Sequence, residues 1–479
     1  VQIQIHNVRS RLVDFSNEDL QKIRRDLSTY APGFKYTKLF KNKQWDGRVS
    51  LLQNEEIPTG LVHLVVEKFP NVNIVDFRNI TTPQLHQTSV PLRDYQWEAV
   101  RESFENTLYG GWFPRGVVKV PTAGGKTIIA AAMVEMTQVK TIFLVHRREL
   151  VNQTIDKFKK YGIHAGKISE GNLELDQQVT IATIQSLMSF KHKTNKTKNR
   201  TQEQVINIDR KKAEKGKVIR KFLMGIEQVF IDEAHLTAST VDKGNLFTQA
   251  LDLMPNAYMR WGLTATPFMR DQYHNWLLEG VTGPILYEIK SQELVEEGYL
   301  AKPNITMYRN KVKSYGDWNT DYDYGIVMND ARNDKVIKCI QNKPGPIMVL
   351  IQRIAHGNLL QHLCAKANIP VRFLYGDISV DDRKLALFDL KAGSIKAIIA
   401  STIWDEGIDI EEIRTLILAG AGKSKIKNLQ RLGRGLRITE DKQEVEVIDF
   451  FEEGSKWLRS HAMQRRRLWE SEGFPVELS

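Results

Sequence analysis

Apolar positions along the first 85 residues change period from stretch to stretch. VQIQI (1–5) alternates as a half-buried strand does. SNEDLQKIRRDL (16–27) repeats every three to four residues, which predicts a helix with Leu20, Ile23 and Leu27 on one face and Ser16 or Asn17 as its cap. RVSLL (48–52) and LVHLVV (61–66) are short apolar runs and read as further strands. Between the helix and these runs lies FKYTKLFKNKQWDGRVSLL (34–52), where Lys35, Lys38, Lys41, Lys43 and Arg48 surround Phe40 and Trp45. Two readings stay open there. One is a hairpin turn at Asp46-Gly47 with core aromatics beside it. The other is a grip on a nucleic-acid backbone, with a ring to stack on a base.

After Pro91 the pattern becomes one of short apolar runs separated by helix-like segments. The runs are GVVKV (116–120), TIFLV (141–145), VTIAT (179–183), QVFI (228–231) and RWGLT (260–264), then PIMVLI (346–351), VRFLY (371–375), KAIIA (396–400), TLILA (415–419) and VEVIDF (445–450). Continuous apolar strands alternating with helices predict parallel α/β sheets. Two sets predict two such domains, joined near 290–305 at Gly298 and Pro303. The expected organisation is a small α/β domain over 1–85, a first parallel-sheet domain over 86–295 and a second over 296–479. RNKVKSYGDWNTDYDYG (309–325) fits neither period and is expected to be irregular.

Composition adds little until charge is mapped. The hydrophobic fraction of 42% and charged fraction of 26% are those of a soluble globular protein. No apolar run reaches membrane-spanning length, and the first residues lack a signal-peptide layout, so a cytoplasmic location is expected. Two cysteines, Cys339 and Cys364, have no metal-ligand spacing and read as free thiols. The net charge of +11 is concentrated. Residues 191–221 hold twelve Lys or Arg against three Asp or Glu. That segment reads as a solvated insertion, as a polyanion contact, or as both.

Ligands of open parallel sheets bind beyond the carboxyl ends of the strands, so the residues after each run carry the candidate chemistry. After GVVKV comes PTAGGKT, with Thr122, Gly124 and Gly125 in a turn suited to cradling phosphate. Lys126 is placed for the β- and γ-phosphates and Thr127 for Mg²⁺. Val120 stands where the commonest phosphate loop has glycine. After QVFI come Asp232 and Glu233, one carboxylate to hold Mg²⁺ and the next to orient or deprotonate a water. STIWDEGIDI (401–410) and QRLGRGLR (430–437) follow in the second set. Arg434 and Arg437 are expected on one helix face, where arginine can stabilise a transferring phosphoryl group.

In order, RDYQ, PTAGGKT, VHRREL, ATIQS, DEAH, TATP, STIWDEGIDI and QRLGRGLR resemble the motifs of superfamily 2 helicases over residues 90–450. That family's loop commonly reads P-T-G-x-G-K-T and does not use the glycine absent at Val120; Ala123 is the departure. The resemblance implies two RecA-like domains with ATP and Mg²⁺ in the cleft between them. Arg93 and Gln96 would recognise adenine. Lys126, Thr127, Asp232 and Glu233 would act on phosphate, Mg²⁺ and water, with Gly407 and Asp409 at the cleft. Arg434 and Arg437 would reach in from the second domain. His235, Thr264, Thr266 and Gln430 would couple the ATP site to nucleic acid. Arg147, Thr183, Ser186, Ser401 and Thr402 would lie along the strand.

FKNKQWDGRVSLL, the DEAH form, HLTASTVDKGNLFTQAL and HAMQRRRLWESEGFPVE are similar to the UvsW-like branched-DNA helicases of phages. This narrower resemblance moves Lys41, Lys43, Trp45 and Arg48 to the nucleic-acid reading. It implies action on junctions, forks and RNA loops paired to DNA, in recombination, repair or replication, by a monomer on DNA in a host cytoplasm. Replication or recombination proteins are the expected partners. The alternatives are an RNA helicase, the motor subunit of a restriction complex and a non-hydrolysing scaffold. The short stretch after VIDFF favours DNA over RNA, and the retained Lys126, Glu233 and arginines disfavour the scaffold.

Overall fold

The structure is a computed structural model that describes residues 1–479 apart from 79, 81, 109, 170, 192–201, 239–245, 268–270, 402–410 and 421. It divides into two compact units, residues 1–120 with 125–288, and residues 289–479 with 121–124.

The first unit is built on an eight-stranded sheet. Its order is Asn172–Leu173, Ala165–Ser169, Val179–Thr183, Thr141–Val145, Gln228–Asp232, Met259–Thr264, Arg115–Lys119 and Ile285–Glu288. All neighbours pair parallel except the short first strand. Helices cover the sheet, so its central strands are buried along their length and read as unbroken apolar runs. The second unit is a seven-stranded sheet ordered Val371–Leu374, Ala397–Ala400, Ile347–Leu350, Thr415–Ile417, Glu444–Glu453, Lys302–Lys311 and Val476–Leu478, parallel throughout. Every run expected to be a strand in the two sets is one.

The N-terminal region carries its own four-stranded sheet, ordered Glu56–Pro58, Arg9–Val13, Gln2–Ile5 and Asn73–Asp76. Ser16 caps the helix Asn17–Asp26 by accepting from Asp19 N, and Ile23 and Leu27 are buried as expected. This region packs on helix Gln272–Val281 of the same unit. The Gly60 position lies so close to the Glu279 carbonyl that an added Cβ would sit 1.9 Å from it, and His63 Nε2 is 3.0 Å from Glu279 Oε1. Buried Arg115 ties the two together, donating to the carbonyls of Asn7, Val281 and Thr282.

Four local expectations are corrected. LVHLVV forms a 3₁₀ turn and the helix Val62–Val66, not a strand, because an apolar run of that length suits either a buried strand or a buried helix. Residues 309–325 are ordered as the end of strand Lys302–Lys311, helix Trp318–Tyr322 and a π-turn, Asp323–Val327, around Val312, Tyr322, Ile326 and Leu458. The described part of the basic insertion is the 23-residue helix Gln202–Met224, whose Ile219 and Leu223 enter the core of the first unit. Residues 192–201 of that insertion lie outside the described residues. Arg437 does not share a helix face with Arg434: helix Lys425–Gly435 ends with Leu436 as its C-cap, and Arg437 follows it.

Candidate functional site

The first sheet places the phosphate-loop residues at the carboxyl end of strand Arg115–Lys119. The chain turns through Ala123 at φ 70° and Gly125 at φ 80°, then enters helix Lys126–Thr137. Left-handed backbone costs an alanine about 1–2 kcal/mol that a glycine does not pay, so Ala123 is a strained substitute for the family's glycine. At Gly125 the glycine is obligatory on two grounds, since an added Cβ would also sit 2.3 Å from Gln96 Nε2. Lys126 is 9% exposed and its Nζ donates to the Val120 carbonyl at 3.3 Å. Thr127, half-buried, is the second residue of the helix.

Gln96 belongs to helix Asp94–Glu105 and is brought against this loop. Its Oε1 accepts from Arg93 N at 3.0 Å and its Nε2 donates to the Tyr95 hydroxyl at 3.3 Å. Arg93, Gln96, Gly125 and Lys126 are therefore one neighbourhood, as the motif order implies.

Two strands away in sequence but near in the sheet, Gln228–Asp232 ends in the acidic pair. Glu233 takes φ 49°, and its N–H donates to Asp232 Oδ1 at 3.0 Å. Non-glycine backbone of this kind costs free energy and collects at functional sites. The Asp232 carboxyl is pushed up to about 6, first by burial and then by the neighbouring Glu233 carboxylate, with Lys126 pulling the other way. A half-buried carboxylate pair that raises a pKa by mutual repulsion fits a divalent cation, which removes the repulsion. Among the described residues no group of three or more His, Cys, Asp or Glu forms a metal cage. This fits Mg²⁺, which takes one or two carboxylates and completes its shell with water and phosphate.

His235, buried, lies with Nδ1 3.0 Å from Thr264 Oγ1 and 3.4 Å from Glu233 Oε2. Thr264 Oγ1 also accepts from Thr266 N at 3.1 Å. One hydroxyl thus joins the acidic-pair turn to the turn after the neighbouring strand, and this contact physically connects three of the expected coupling residues.

The other candidates are distributed as follows. Thr183, buried at a strand end, caps helix Ile184–Leu187 by accepting from Ser186 N at 3.2 Å, and Arg147 is the N-cap of helix Arg148–Lys160. In the second unit Ser401 is buried after strand Ala397–Ala400, its N–H donating to the Leu374 carbonyl at 3.1 Å. Gln430 and Arg434 are half-buried on helix Lys425–Gly435, and Arg437 Nη1 lies 3.4 Å from Glu411 Oε1. Thr402, Asp405, Gly407 and Asp409 fall outside the described residues.

In the N-terminal region the basic and aromatic segment is not a tight hairpin. Strands Ser28–Tyr30 and Arg48–Ser50 pair antiparallel, and residues 31–47 form an excursion with a 3₁₀ turn and the short helix Lys38–Lys41. Lys41, Lys43 and Arg48 are exposed, while Trp45, half-buried, donates from Nε1 to the Arg48 carbonyl. Sequence reasoning passed over Tyr30 and Tyr36. Tyr36 is 83% exposed, and Tyr30 is overlaid by the Arg48 guanidinium at 5.0 Å. Their nearness to the lysine run was the available signal.

Three family models match in sequence order: DNA helicase UvsW, N-terminal, over residues 1–78; type III restriction enzyme, res subunit, over 89–269; and helicase conserved C-terminal domain over 331–439. The ATP-dependent DNA helicase uvsW of Enterobacteria phage T4 is 22% identical over 91% of this chain and 88% of its own. The DNA 3'-5' translocase XPB2 of Sulfurisphaera tokodaii is 25% identical over 91% and 96%. Among solved structures, a fragment of a putative HsdR subunit of a type I restriction enzyme from Vibrio vulnificus YJ016 superimposes with TM-score 0.55 at 18% identity, over 90% of this chain and 76% of its own, a likeness of fold. With two parallel-sheet domains and the loop, acidic pair and arginine helix in place, the chain is an ATP-dependent helicase of superfamily 2. Within that superfamily it carries the N-terminal domain of the UvsW helicases.

Proposed function

We propose that this helicase is a DNA motor that remodels branched DNA, such as four-way junctions, forks and RNA–DNA loops. The observation that carries the reading is the UvsW-type N-terminal domain joined to a complete motor. The exposed Lys41, Lys43 and Arg48 beside Tyr30, Tyr36 and Trp45 support it, because phosphate contacts and a stacking surface suit a nucleic acid. The helix Gln202–Met224 adds exposed Arg210, Lys211, Lys217, Arg220 and Lys221. Both named relatives are DNA enzymes.

In this reading the Lys126 ammonium neutralises β- and γ-phosphate charge, helped by the N–H groups at the start of its helix. Thr127 and Asp232 hold Mg²⁺, which bridges phosphate oxygens and offsets their developing charge. Glu233 orients the attacking water and accepts its proton. Arg434 and Arg437 supply the cations that stabilise the transferring phosphoryl group. The His235–Thr264–Thr266 contact links that chemistry to the strand ends carrying Arg147, Thr183 and Ser186. With Ser401 and Thr402 these contact the DNA backbone, which leaves sequence unread.

A synthetic four-way junction with homologous arms tests the proposal. ATP-dependent conversion to branch-migrated duplexes, absent with a non-hydrolysable analogue, is expected. Activity on an RNA duplex with none on the junction would overturn it and favour the RNA helicase.

A further inference from the structure

The second unit holds a cavity of about 590 Å³ that none of the helicase motifs accounts for as a whole. Its floor lies at the carboxyl ends of two adjacent parallel strands. Gln352 follows Ile347–Leu350, and Gly422 to Ser424 follow Thr415–Ile417. This is the edge at which open parallel sheets bind ligands. Ser401 ends the strand on the other side of Ile347–Leu350, so the cavity continues the same edge.

Two kinds of side chain line it. Lys423, Lys427 and Arg431 supply three cations, and no carboxylate lines it among the described residues. Lys427 and Arg431 are four apart on helix Lys425–Gly435 and share its face, while Ser424 caps that helix by accepting from Lys427 N. The helix N-terminus adds partial positive charge. Opposite stand rings. Trp457 is 42% exposed at the start of helix Lys456–Ser471, and Trp318 lies 4.5 Å, centroid to centroid, from His461. His461 is 9% exposed, and its buried Nδ1 has no hydrogen-bond partner. Burial, Lys423 and Arg465 push its pKa down to about 4, so the ring is neutral and offers a hydrogen bond rather than a charge.

Cations without a counter-carboxylate, beside flat apolar rings and an unsatisfied neutral imidazole, match a phosphate attached to a planar base. The volume falls within the ~300–1,000 Å³ usual for small-molecule sites. We propose that this cavity receives one nucleotide of a single-stranded DNA segment, its phosphate on Lys423 and Lys427 and its base against Trp457 and Trp318. The inference rests on the DNA reading above and extends it, by giving the second unit a base-stacking position besides its backbone contacts. Holding one unstacked base there gives the motor purchase on a displaced strand.

Equilibrium binding of a fluorescent oligothymidylate to the full chain, titrated with salt, tests this with three variants. Trp457→Ala is expected to weaken binding about tenfold with the salt slope unchanged, since a stacking contact releases no counterions. Trp457→Phe restores most of the affinity. Lys423→Ala with Lys427→Ala lowers the slope by about 0.7–1.4, the value for one to two phosphates on a single strand. Blunt-duplex affinity and ATP hydrolysis without DNA stay at wild-type levels. Unchanged oligothymidylate affinity and slope in all three variants, with the wild type binding normally, overturns the cavity assignment and leaves the DNA reading standing. A wild type that binds no DNA overturns both. Saturable binding of free dTMP that Trp457→Ala abolishes, with oligonucleotide affinity intact, overturns the strand assignment in favour of a free nucleotide.

Discussion

Both parallel sheets bury charge, but in different places and with different completeness. In the first, Asp232, Glu233 and Lys126 sit at the carboxyl ends of strands, in turns with left-handed backbone at Ala123, Gly125 and Glu233. In the second, charge lies behind the strands. Arg465 from helix Lys456–Ser471 meets Asp449 at 2.9 Å and Glu452 at 3.7 Å, and Arg332 from helix Asp330–Asn342 meets Glu452 at 3.1 Å. Arg332 also covers the Phe450 ring at 4.1 Å. All four ionic side chains are at most 2% exposed. Burial works against the Arg465 charge, yet Asp449 and Glu452 outweigh it and its pKa is raised. The contrast teaches how to read buried charge. A closed, mutually neutralising set fixes two helices to a strand. A carboxylate pair at a strand end, raised in pKa and strained in backbone, is held ready for something that arrives.

The largest expected effect attacks the closed set. Arg465→Met leaves Asp449 and Glu452 buried without their cation and should cost about 3–5 kcal/mol, read as a fall in the denaturation midpoint of the second unit. Next, Lys126→Ala should lower ATP hydrolysis by at least ~100-fold, about 2.7 kcal/mol of barrier, with the denaturation midpoint unchanged. That pair of results separates the two kinds of buried charge; a Lys126→Ala protein that unfolds early would erase the distinction.

A smaller effect follows from pH. His356 is buried with Nε2 3.0 Å from Asn333 Oδ1, and burial and then Arg332 push its pKa down to about 3. Its unfolded value is about 6.5, so between these limits the unfolded chain binds the extra proton. The stability is present above about pH 6.5 and is lost as pH falls, at about 1.4 kcal/mol per pH unit. Denaturation of the second unit followed from pH 7 to 5 should show that slope, and His356→Gln should remove it. The smallest effect tests the strain: Ala123→Gly should be neutral or stabilising by up to about 1 kcal/mol, with ATP hydrolysis retained. Marked destabilisation would contradict a left-handed Ala123.

The same contrast explains what the sequence made legible. The ATP-site residues stand in contiguous motifs at the ends of apolar runs, so strand pattern and motif found them together. The ionic set joins Arg332 to Glu452 across 120 positions, and no spacing announces it. Strand Lys302–Lys311 was missed because it alternates, with polar residues and Pro303 interrupting it, where the central strands are continuously apolar. Helix Gln202–Met224 was hidden because its core contacts, Ile219 and Leu223, are diluted by lysine. Val120 was read as a departure from a phosphate loop, yet its carbonyl is what Lys126 holds, and no side-chain motif reports a main-chain acceptor.

The most direct test of the account is ATP hydrolysis by the full chain with matched amounts of four-way junction, linear duplex, single-stranded DNA and single-stranded RNA, with Lys126→Ala as control. The account predicts strong stimulation by DNA, greatest with the junction, and none in the variant. Stimulation by RNA alone would contradict the DNA motor, and hydrolysis undiminished in Lys126→Ala would contradict the assigned nucleotide site.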